Sequence, residues 1–299
     1  MSKVVVDVEG RQVALTNLAK VLYPQVGFAK AQVVDYYTRI APVLLPHLAG
    51  RALTRKRYPD GVEGQVFFEK NAPRGTPDWV RTERLPSPGS SKGRETIDYV
   101  VVQDLATLVW TANLASLELH THMWRVDTTA EPAAQLPPDL LVFDLDPGPP
   151  ASVVECCRVA ELLRPLLRAD GLQPVAKTSG SKGLQLYARA DGFASADQTS
   201  SYAKGLAQRL EKEHPELVVH RMAKTLRPGK VLVDWSQNSA AKTTVSVYSL
   251  RARERPTVST PVSWVEVEAC ASPQDLVFTS DDVLARVERD GDLFSPLLG

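Results

Sequence analysis

Three aspartates close two apolar segments of the 299-residue chain and are its clearest candidates for chemistry. Asp144 and Asp146 lie in LLVFDLDPG, and Asp234 ends the apolar run of VLVDWSQN. Side chains at positions i and i+2 of a strand share one face, about 7 Å apart. Carboxylates grouped in this way bind Mg²⁺ or Mn²⁺, and a pair of such ions is a common device for moving a phosphoryl group. An isolated Asp-x-Asp is more often a turn cap, but the second strand favours a metal site with Asp234 as its third carboxylate.

The segment TSGSKGLQLY, which lies between these strands, predicts a tight loop flanked by strands. Its Ser179, Gly180, Ser181 and Gly183 could expose backbone N–H groups, and Lys182 could offer a point charge to a triphosphate. The G-x-x-x-x-G-K-[ST] spacing of a P-loop is absent. Without the neighbouring aspartates, a plain hairpin turn would be an equally good interpretation.

Two lysines near the start of the chain form a candidate anion site. Lys30 lies in the first turn of a helix predicted over residues 28–41, where the helix dipole disfavours a cation unless an anion binds nearby. Lys20, in LTNLAKVLYP, could converge on the same anion. Pro42 is expected to end or kink the helix. A solvated side chain is the alternative for either lysine taken alone.

Two further segments carry residues suited to nucleic acid. Phe67 and Phe68 should point to opposite sides of a strand, so one is expected to fill the core while the other stacks on a base. Two core phenylalanines are the alternative. Arg55, Lys56 and Arg57 form a candidate patch for DNA phosphates, although such charge runs are usually solvated faces.

Composition and cysteine content exclude several classes of protein. A hydrophobic fraction of 43% and a charged fraction of 23% are typical of a globular chain. No apolar run approaches the roughly 20 residues that span a bilayer, and MSKVVVDVEG lacks the apolar centre of a secretory signal. We therefore expect a cytoplasmic protein that does not bind membranes. Cys156, Cys157 and Cys270 form neither a disulfide framework nor a metal-ligand pair, so buried thiols are expected. His120 and His122 share a strand face without a third ligand nearby, which argues against zinc.

The predicted helices and strands that position these residues do not alternate regularly as βαβ units, which favours an α+β fold over a doubly wound sheet. VVECCRVAELLRPLLRADG predicts a helix that ends at Gly171, and QTSSYAKGLAQRLEKEHP predicts one that stops before Pro215. LELHTH, VLVDWS and TTVSVYSL predict strands.

Residues 1–100 hold 15 Lys and Arg against 10 Asp and Glu, whereas residues 101–150 hold 1 against 7. A basic part beside an acidic centre suits a polyanion on one side and metal ions on the other.

The chain resembles the polymerase domain of bacterial ligase D, a branch of the archaeo-eukaryotic primase superfamily, over nearly its whole length. The motifs that carry this resemblance are LTNLAKVLYP, RALTRKRYPDG, FFEKN, FDLDPG, TSGSKGL, GKVLVDWSQN, KTTVSVYSLRAR and DGDL. The resemblance implies one domain over residues 1–299, with mixed and antiparallel sheets flanked by helices around a primase-like catalytic core. Its expected parts are a DNA- and 5′-phosphate-binding part near 1–100, a metal- and nucleotide-binding core near 101–260 and a closing segment near 261–299.

The resemblance also implies roles for individual residues. Two Mn²⁺ or Mg²⁺ ions are expected on the catalytic residues Asp144, Asp146 and Asp234. Nucleotide contacts are expected from Ser179, Lys182, Gln185, Lys242, Arg251 and His120. The 5′-phosphate beyond a DNA gap is expected at Asn17, Lys20 and Lys30. Template contacts are expected from Arg55, Lys56, Arg57, Phe67 and Phe68.

One position departs from the family pattern, because SGSKGLQ replaces the usual SGSKGLH and puts Gln185 at the histidine. A glutamine amide can still donate to a phosphate or sugar oxygen, but it cannot become a cation near neutral pH.

The resemblance implies a template-directed nucleotidyltransferase that fills short gaps at 5′-phosphorylated DNA ends in break or excision repair. Its substrates would be ribo- or deoxyribonucleoside triphosphates, and its partners a DNA ligase and a DNA-end-binding protein. A metal-dependent nuclease and a non-catalytic DNA-end-binding module are the alternatives. The phosphate loop disfavours the first, and the intact aspartates disfavour the second.

Overall fold

The computed structural model describes residues 3–86 and 95–299. Within these residues the chain forms six α-helices and 18 β-strands. The helices are α1 (Lys30–Leu48), α2 (Leu105–Asn113), α3 (Val153–Ala169), α4 (Ala196–Glu213), α5 (Trp264–Ala269) and α6 (Ser280–Asp290). The strands are β1 (Lys3–Val8), β2 (Arg11–Thr16), β3 (Val21–Tyr23), β4 (Phe28–Ala29), β5 (Ala52–Arg57), β6 (Phe67–Glu69), β7 (Thr82–Pro86), β8 (Thr96–Val101), β9 (Ser116–Thr121), β10 (Trp124–Asp127), β11 (Ala134–Pro138), β12 (Leu140–Pro147), β13 (Val175–Thr178), β14 (Leu184–Arg189), β15 (Val218–Val219), β16 (Val231–Asp234), β17 (Thr244–Val245) and β18 (Pro261–Val262).

Two six-stranded sheets organise the described part of the chain. Sheet A has the strand order β17-β9-β5-β8-β7, with β6 paired to β5 beside this path. Sheet B has the order β15-β16-β12-β14-β13-β18. Neighbouring strands run antiparallel in both sheets except for the parallel pair of β15 and β16. This architecture confirms the predicted α+β class with mixed and antiparallel sheets flanked by helices.

The strand β12 is central in sheet B, and its alternating side chains serve two hydrophobic cores. Leu141 and Phe143 pack in the core that contains residues of α3 and α4. Val142 points to the other side, into the core shared with α1 and sheet A. Because strand side chains alternate, Asp144 and Asp146 continue this second face. Each fully buried apolar side chain contributes about 1.5–3 kcal/mol, so a one-residue slip of β12, which would bury the aspartates in the first core, is strongly disfavoured.

The helices α3 and α4 pack on one face of sheet B and begin and end as predicted. Ser152 caps α3, and its N–H donates to the Glu155 carboxylate at 2.7 Å, which closes a capping box. Beyond the helix, Gly171 adopts a left-handed φ of 80°. α4 ends at Glu213, two residues before Pro215.

The helix α1 is longer than predicted and does not end at Pro42, whereas the alternative of a kink at Pro42 stays a prediction. The helix runs to Leu48 and contains both Pro42 and Pro46. A proline in a helix removes one hydrogen bond and costs about 3 kcal/mol. Ile40 and Leu44 are fully buried on either side of Pro42, and their burial offsets this cost because each contributes about 1.5–3 kcal/mol.

The strand predicted for TTVSVYSL is wrong beyond its first residues. Only Thr244 and Val245 form β17, and Tyr248 turns the chain with a left-handed φ of 62°. The Tyr248 hydroxyl donates to Asp292 at 2.6 Å, which holds this disfavoured conformation in place. The strand predicted for LELHTH is confirmed as β9.

The larger hydrophobic core draws on residues from Val13 to Leu297. The three parts expected near 1–100, 101–260 and 261–299 therefore contribute to one hydrophobic core. The assignment of a separate function to each part stays a prediction. Cys156 and Cys157 are buried as expected, whereas Cys270 is half-buried. None of the helices in residues 3–86 and 95–299 combines the length and the apolar character needed to cross a bilayer.

Candidate active site

The three aspartates meet on one face of sheet B. Asp144 of β12 lies directly opposite Asp234 of β16, and Asp146 follows two residues along β12. Directly opposite residues of an antiparallel pair share a face, so the three aspartates lie on the same face of the sheet; their joint binding of metal ions stays a prediction. On the other side of β12, Gln185 lies opposite Asp144, and Lys177 lies opposite Gln185. One row therefore crosses four neighbouring strands and consists of Lys177, Gln185, Asp144 and Asp234.

The carboxylates repel one another in a site with little solvent. Burial raises the pKa of Asp144, and the charges of Asp146 and Asp234 raise it further. Burial and Asp234 likewise raise the pKa of Asp146, against the opposing charge of Lys182. A divalent cation would relieve this repulsion, because an opposite charge within about 4–6 Å favours the charged form of a carboxylate.

The donor set fits a hard cation such as Mg²⁺ or Mn²⁺, which prefers carboxylate oxygens. Asp144 and Asp146 line an open cleft of about 210 Å³. Asp234 is buried, and its carboxylate accepts hydrogen bonds from Ser236 N at 3.0 Å and from Gln237 Nε2 at 2.8 Å. Among the residues that the structure describes, no three acidic, histidine or cysteine side chains lie close enough together to hold a metal ion without rearrangement. Asp234 would therefore exchange one of these hydrogen bonds for a bound cation.

The loop at residues 179–183 joins β13 to β14 beside the aspartates. Its N–H groups bond within the protein, which corrects the expectation that they face a ligand. Ser181 N and Gly183 N donate to Ser179 Oγ at 3.3 and 3.0 Å. Ser179 thus closes the loop, whereas the exposed side chain of Lys182 lines the cleft.

Basic side chains surround the same cleft. Arg251 and Arg253 line it, and both donate to the loop at residues 179–183. Lys242 donates to Ser236 Oγ, on the side of the site where β16 ends. The sequence motif KTTVSVYSLRAR holds Arg253 two positions after Arg251, and this repeat is the only sign in the sequence that a second arginine reaches the cleft.

Lys20 and Lys30 lie close together at the start of α1, and their convergence on one anion stays a prediction. Lys30 opens the helix, and its N–H donates to the Lys20 carbonyl at 2.8 Å. The Lys30 side chain is buried and donates to the Thr16 carbonyl at 2.7 Å. Burial lowers the pKa of Lys30 to about 8, and the charges of Arg57 and Lys20 contribute to the shift. Lys20 itself pairs with Asp60 at 2.7 Å.

Asn17 and Arg57 complete this cluster. Asn17 adopts a left-handed φ of 52°, and its carbonyl accepts a hydrogen bond from Lys20 N at 3.0 Å. It therefore shapes the turn that carries Lys20. Arg57, which the resemblance assigns to the template, lies near enough to lower the pKa of Lys30 and also pairs with Glu69 at 2.9 Å. An anion at this point would meet three cations at the N-terminus of a helix.

Comparison with known proteins connects this arrangement to one family. The family model for the LigD primase-polymerase domain matches residues 29–294. The chain belongs to this family. The polymerase domain from Mycobacterium tuberculosis Ligase D, solved in complex with DNA, matches the structure with a TM-score of 0.90 and 42% identity, over 96% of this chain and 98% of that one. This match confirms the predicted family and the primase-like fold.

Curated relatives of this LigD-family chain are longer than the chain itself. The multifunctional non-homologous end joining protein LigD of Mycolicibacterium smegmatis is 43% identical over 286 residues, which are 96% of this chain and 36% of that protein. The bifunctional non-homologous end joining protein LigD of Bacillus subtilis is 30% identical over 277 residues, which are 92% of this chain and 42% of that protein. The chain therefore spans well under half of the length of these relatives.

A buried glutamate organises the basic side of this LigD-family site. Glu118 is 2% exposed and pairs with Lys56 at 3.0 Å, His120 at 2.9 Å and Arg251 at 3.3 Å. Burial alone would raise the pKa of Glu118, but its hydrogen bond with His120 and the charges around it outweigh burial and lower the pKa. His120 lines the cleft, and burial lowers its pKa. The alternation in LELHTH indicates a polar face but not these partners.

Gln185 occupies the family's histidine position as a buried bridge. Its Nε2 donates to Asp144 Oδ1 at 2.9 Å, and its Oε1 accepts from Lys177 Nζ at 2.5 Å. One N–H of the amide is therefore held by Asp144. A contact of the second N–H with a phosphate or sugar stays a prediction. The sequence alone does not single out Lys177, because its partners come from distant segments.

The residues predicted to face DNA divide into buried and exposed side chains. Arg55 is completely buried against the Trp110 ring, and its Nη2 donates to the Asn71 carbonyl at 2.7 Å. The expected contact of Arg55 with DNA is therefore wrong. Phe67 and Phe68 are 37% and 52% exposed, which corrects the expectation that one of them fills the core.

Proposed function

We propose that this protein is a template-directed DNA polymerase domain that fills short gaps at 5′-phosphorylated DNA ends from ribo- or deoxyribonucleoside triphosphates. The observation that carries the proposal is the register of Asp144 opposite Asp234, together with a cleft that is lined by Asp144 and Asp146 and also by Lys182 and Arg251. Membership of the LigD primase-polymerase family supports it. The similar domain of Mycobacterium tuberculosis Ligase D is described in complex with DNA, which supports a DNA substrate here.

The reaction would be attack of a primer 3′-OH on the α-phosphate of the incoming nucleotide, with pyrophosphate as leaving group. Asp144, Asp146 and Asp234 would hold two Mn²⁺ or Mg²⁺ ions, which when bound lower the pKa of the 3′-OH and neutralise phosphate charge. Lys182 and Arg251 would bind the triphosphate and stabilise the charge that grows on the leaving group.

The N-terminal part would hold the DNA. Lys20 and Lys30, which lie close together at the start of α1, would offer positive charge to the 5′-phosphate on the far side of a gap. Phe67 and Phe68 offer exposed aromatic faces on which template bases could stack. The Phe68 ring lies 6.4 Å from the His120 ring at the cleft, so a base on Phe68 would be close to the incoming nucleotide.

Gap filling of this kind would serve end joining or excision repair, together with a DNA ligase and a DNA-end-binding protein. A nuclease would use the same carboxylates with water as nucleophile, but it would have no need of a basic wall for a triphosphate. A purely end-binding module would have no need of three converging carboxylates. The geometry of the cleft therefore favours a polymerase over both alternatives.

The proposal is tested by incubating the protein with gapped DNA, Mn²⁺ and labelled nucleotides. The parent protein should extend the primer, and Asp146→Asn should abolish extension while still binding the gapped DNA. Asp191→Asn is the matched control, because Asp191 is exposed at the far end of β14 and pairs only with Arg189 at 2.7 Å in the described residues. Extension by Asp146→Asn at the parental rate would overturn the proposal. Shortened DNA would indicate a nuclease, and a mobility shift without chemistry would indicate an end-binding module.

A further inference from the structure

Lys177 is a buried lysine whose three hydrogen bonds join the two sheets near the candidate active site. Burial lowers its pKa, but the three acceptors around its Nζ match the three donors of the protonated form. Its side chain, on β13 of sheet B, is almost fully buried. Its Nζ donates to the Val245 carbonyl of β17 in sheet A at 3.0 Å, to Ser259 Oγ at 2.7 Å and to Gln185 Oε1 at 2.5 Å. A lysine ammonium has three donors, so these bonds satisfy it completely.

The bonds to Val245 and Ser259 lead away from the carboxylates. The third bond goes to an amide that continues to Asp144, where Gln185 Nε2 donates to Oδ1 at 2.9 Å. The register of sheet B aligns the three residues, since Lys177 lies opposite Gln185 and Gln185 lies opposite Asp144. The hydrogen bonds thus run along one row, from a buried ammonium through an amide to a carboxylate at the cleft.

An amide bridge differs from a direct ion pair in its effect on Asp144. A lysine paired directly with this carboxylate would neutralise it and compete with a divalent cation. Through Gln185, the ammonium polarises an amide that holds Oδ1, and the described ranges offer no hydrogen-bond donor to Oδ2. The contact therefore fixes the orientation of the carboxylate and leaves Oδ2 available to a cation.

We propose that Lys177 and Gln185 are positioning residues that hold Asp144 in the orientation needed to bind a divalent cation. This inference rests on the proposed function, because it assumes that Asp144 is a metal ligand. Groups that orient a ligand from behind typically change metal affinity by about 10- to 100-fold when they are removed. Glutamine in place of the family's histidine keeps one donor and one acceptor at this position but cannot itself gain a proton.

The test measures Mn²⁺ binding to the protein alone, without nucleotide or DNA, by the electron paramagnetic resonance signal of free Mn²⁺. Gln185→Met keeps the size of the side chain and removes both hydrogen bonds, and we expect it to weaken Mn²⁺ binding about 10- to 100-fold. Lys177→Met should weaken binding in the same direction. Gln185→His should restore binding at pH 8, because a neutral imidazole also offers one donor and one acceptor.

Tyr36→Phe is the matched control for the loss of a buried hydrogen bond. The buried Tyr36 hydroxyl donates to the Tyr248 carbonyl at 2.8 Å, away from the aspartates. This variant should lower the thermal unfolding midpoint and keep the parental Mn²⁺ affinity within about twofold, well below the change of about 10- to 100-fold expected for an orienting group. Gln185→Met with the Mn²⁺ affinity of Tyr36→Phe would overturn the inference. If Lys177→Met fails to fold, Gln185→Met decides alone.

Asp146→Asn separates this inference from the proposed function. If Asp146→Asn binds Mn²⁺ as tightly as the parent, the metal site itself is wrong. If Asp146→Asn loses Mn²⁺ while Gln185→Met retains it, only the positioning role of Lys177 and Gln185 fails.

Discussion

Replacing Glu118 by glutamine keeps the size and shape of this side chain but removes its charge. The variant should therefore be less stable than the parent, and the Arg251 side chain should lose its orientation. The carboxylate is 2% exposed and lies 3.0 Å from Lys56 and 3.3 Å from Arg251. Removing one partner of a buried ion pair costs about 3–5 kcal/mol. Because the Lys56 side chain is 26% exposed and can regain water, we expect a loss at the lower end, about 3 kcal/mol in the free energy of unfolding.

The effect of Glu118→Gln on nucleotide binding follows from the orientation of Arg251. A charge-assisted hydrogen bond contributes about 1.5–3 kcal/mol, so losing one contact between Arg251 and a triphosphate should raise the nucleotide KM about 10- to 150-fold. Urea unfolding measures the stability, and nucleotide titration in a gap-extension assay measures the KM. The turnover number should change less than the KM, because the three aspartates are untouched.

The stability difference between parent and Glu118→Gln should depend on pH in a defined direction. The charges around Glu118 lower its pKa below the ordinary value of 4.5. The folded state therefore keeps this carboxylate charged at pH values where the unfolded state takes up a proton. Its contribution is complete above pH 4.5 and declines as the pH falls below that value.

Glu83→Gln is a matched control for Glu118→Gln. Glu83 pairs with Arg81 at 2.7 Å in a more exposed part of sheet A, so this variant should lose no more than about 1 kcal/mol. The reasoning is refuted if Glu118→Gln keeps the parental nucleotide KM and loses no more stability than Glu83→Gln.

Three further predictions concern the DNA pocket, the template surface and the phosphate loop. Burial lowers the pKa of Lys30 to about 8, so the preference for 5′-phosphate over 5′-hydroxyl gaps should decline as the pH rises through 8. Fluorescence anisotropy measures this preference, and a constant preference up to about pH 9.5, above the lowered pKa of Lys30 and below the ordinary one, would contradict the prediction. Phe68→Ala should weaken gapped-DNA binding by about 1–3 kcal/mol and leave thermal unfolding unchanged, because the ring is exposed; parental affinity would argue against stacking. Gly183→Ala should lose about 1–3 kcal/mol of stability, because the new Cβ would lie 2.4 Å from the Leu145 carbonyl oxygen. The control Gly205→Ala in α4 should gain about 0.5–1 kcal/mol, because its Cβ would meet nothing within 4 Å. Equal free energies of unfolding of the two variants in urea would refute the close approach of Gly183 to Leu145.

The placement of Asp144 and Asp146 on one face of the sheet is predictable from the sequence, because it depends only on neighbouring residues of one strand. An apolar run that ends in aspartate leaves a carboxylate at the end of a buried strand, and strand alternation sets Asp144 and Asp146 on one face. Only the pairing of β12 with β16, which puts Asp234 opposite Asp144, depends on segments far apart in the sequence. The two matching apolar runs make this pairing the simplest expectation.

Residues whose roles depend on distant partners are not predictable in this way. Arg55, Lys56 and Arg57 lie on one strand, so their side chains alternate and at least one must point inward. Which one is buried depends on how β5 pairs with β6 and β9, and the structure selects Arg55. Glu118 and Lys177 are likewise ordinary strand residues in the sequence, since their partners lie on other strands and loops.

Glu118 and Lys177 act in complementary ways at the two walls of the cleft. Glu118, a buried anion in sheet A, orients Arg251 and His120, which face the expected phosphates. Lys177, a buried cation in sheet B, orients Asp144 through Gln185. On each wall, a buried residue of opposite charge type therefore fixes the side chains that face the cleft. In the proposed reaction a triphosphate would bind directly to the basic wall, whereas ionised aspartates would repel it, so divalent cations between the aspartates and the phosphates would be needed for both walls to act on one nucleotide.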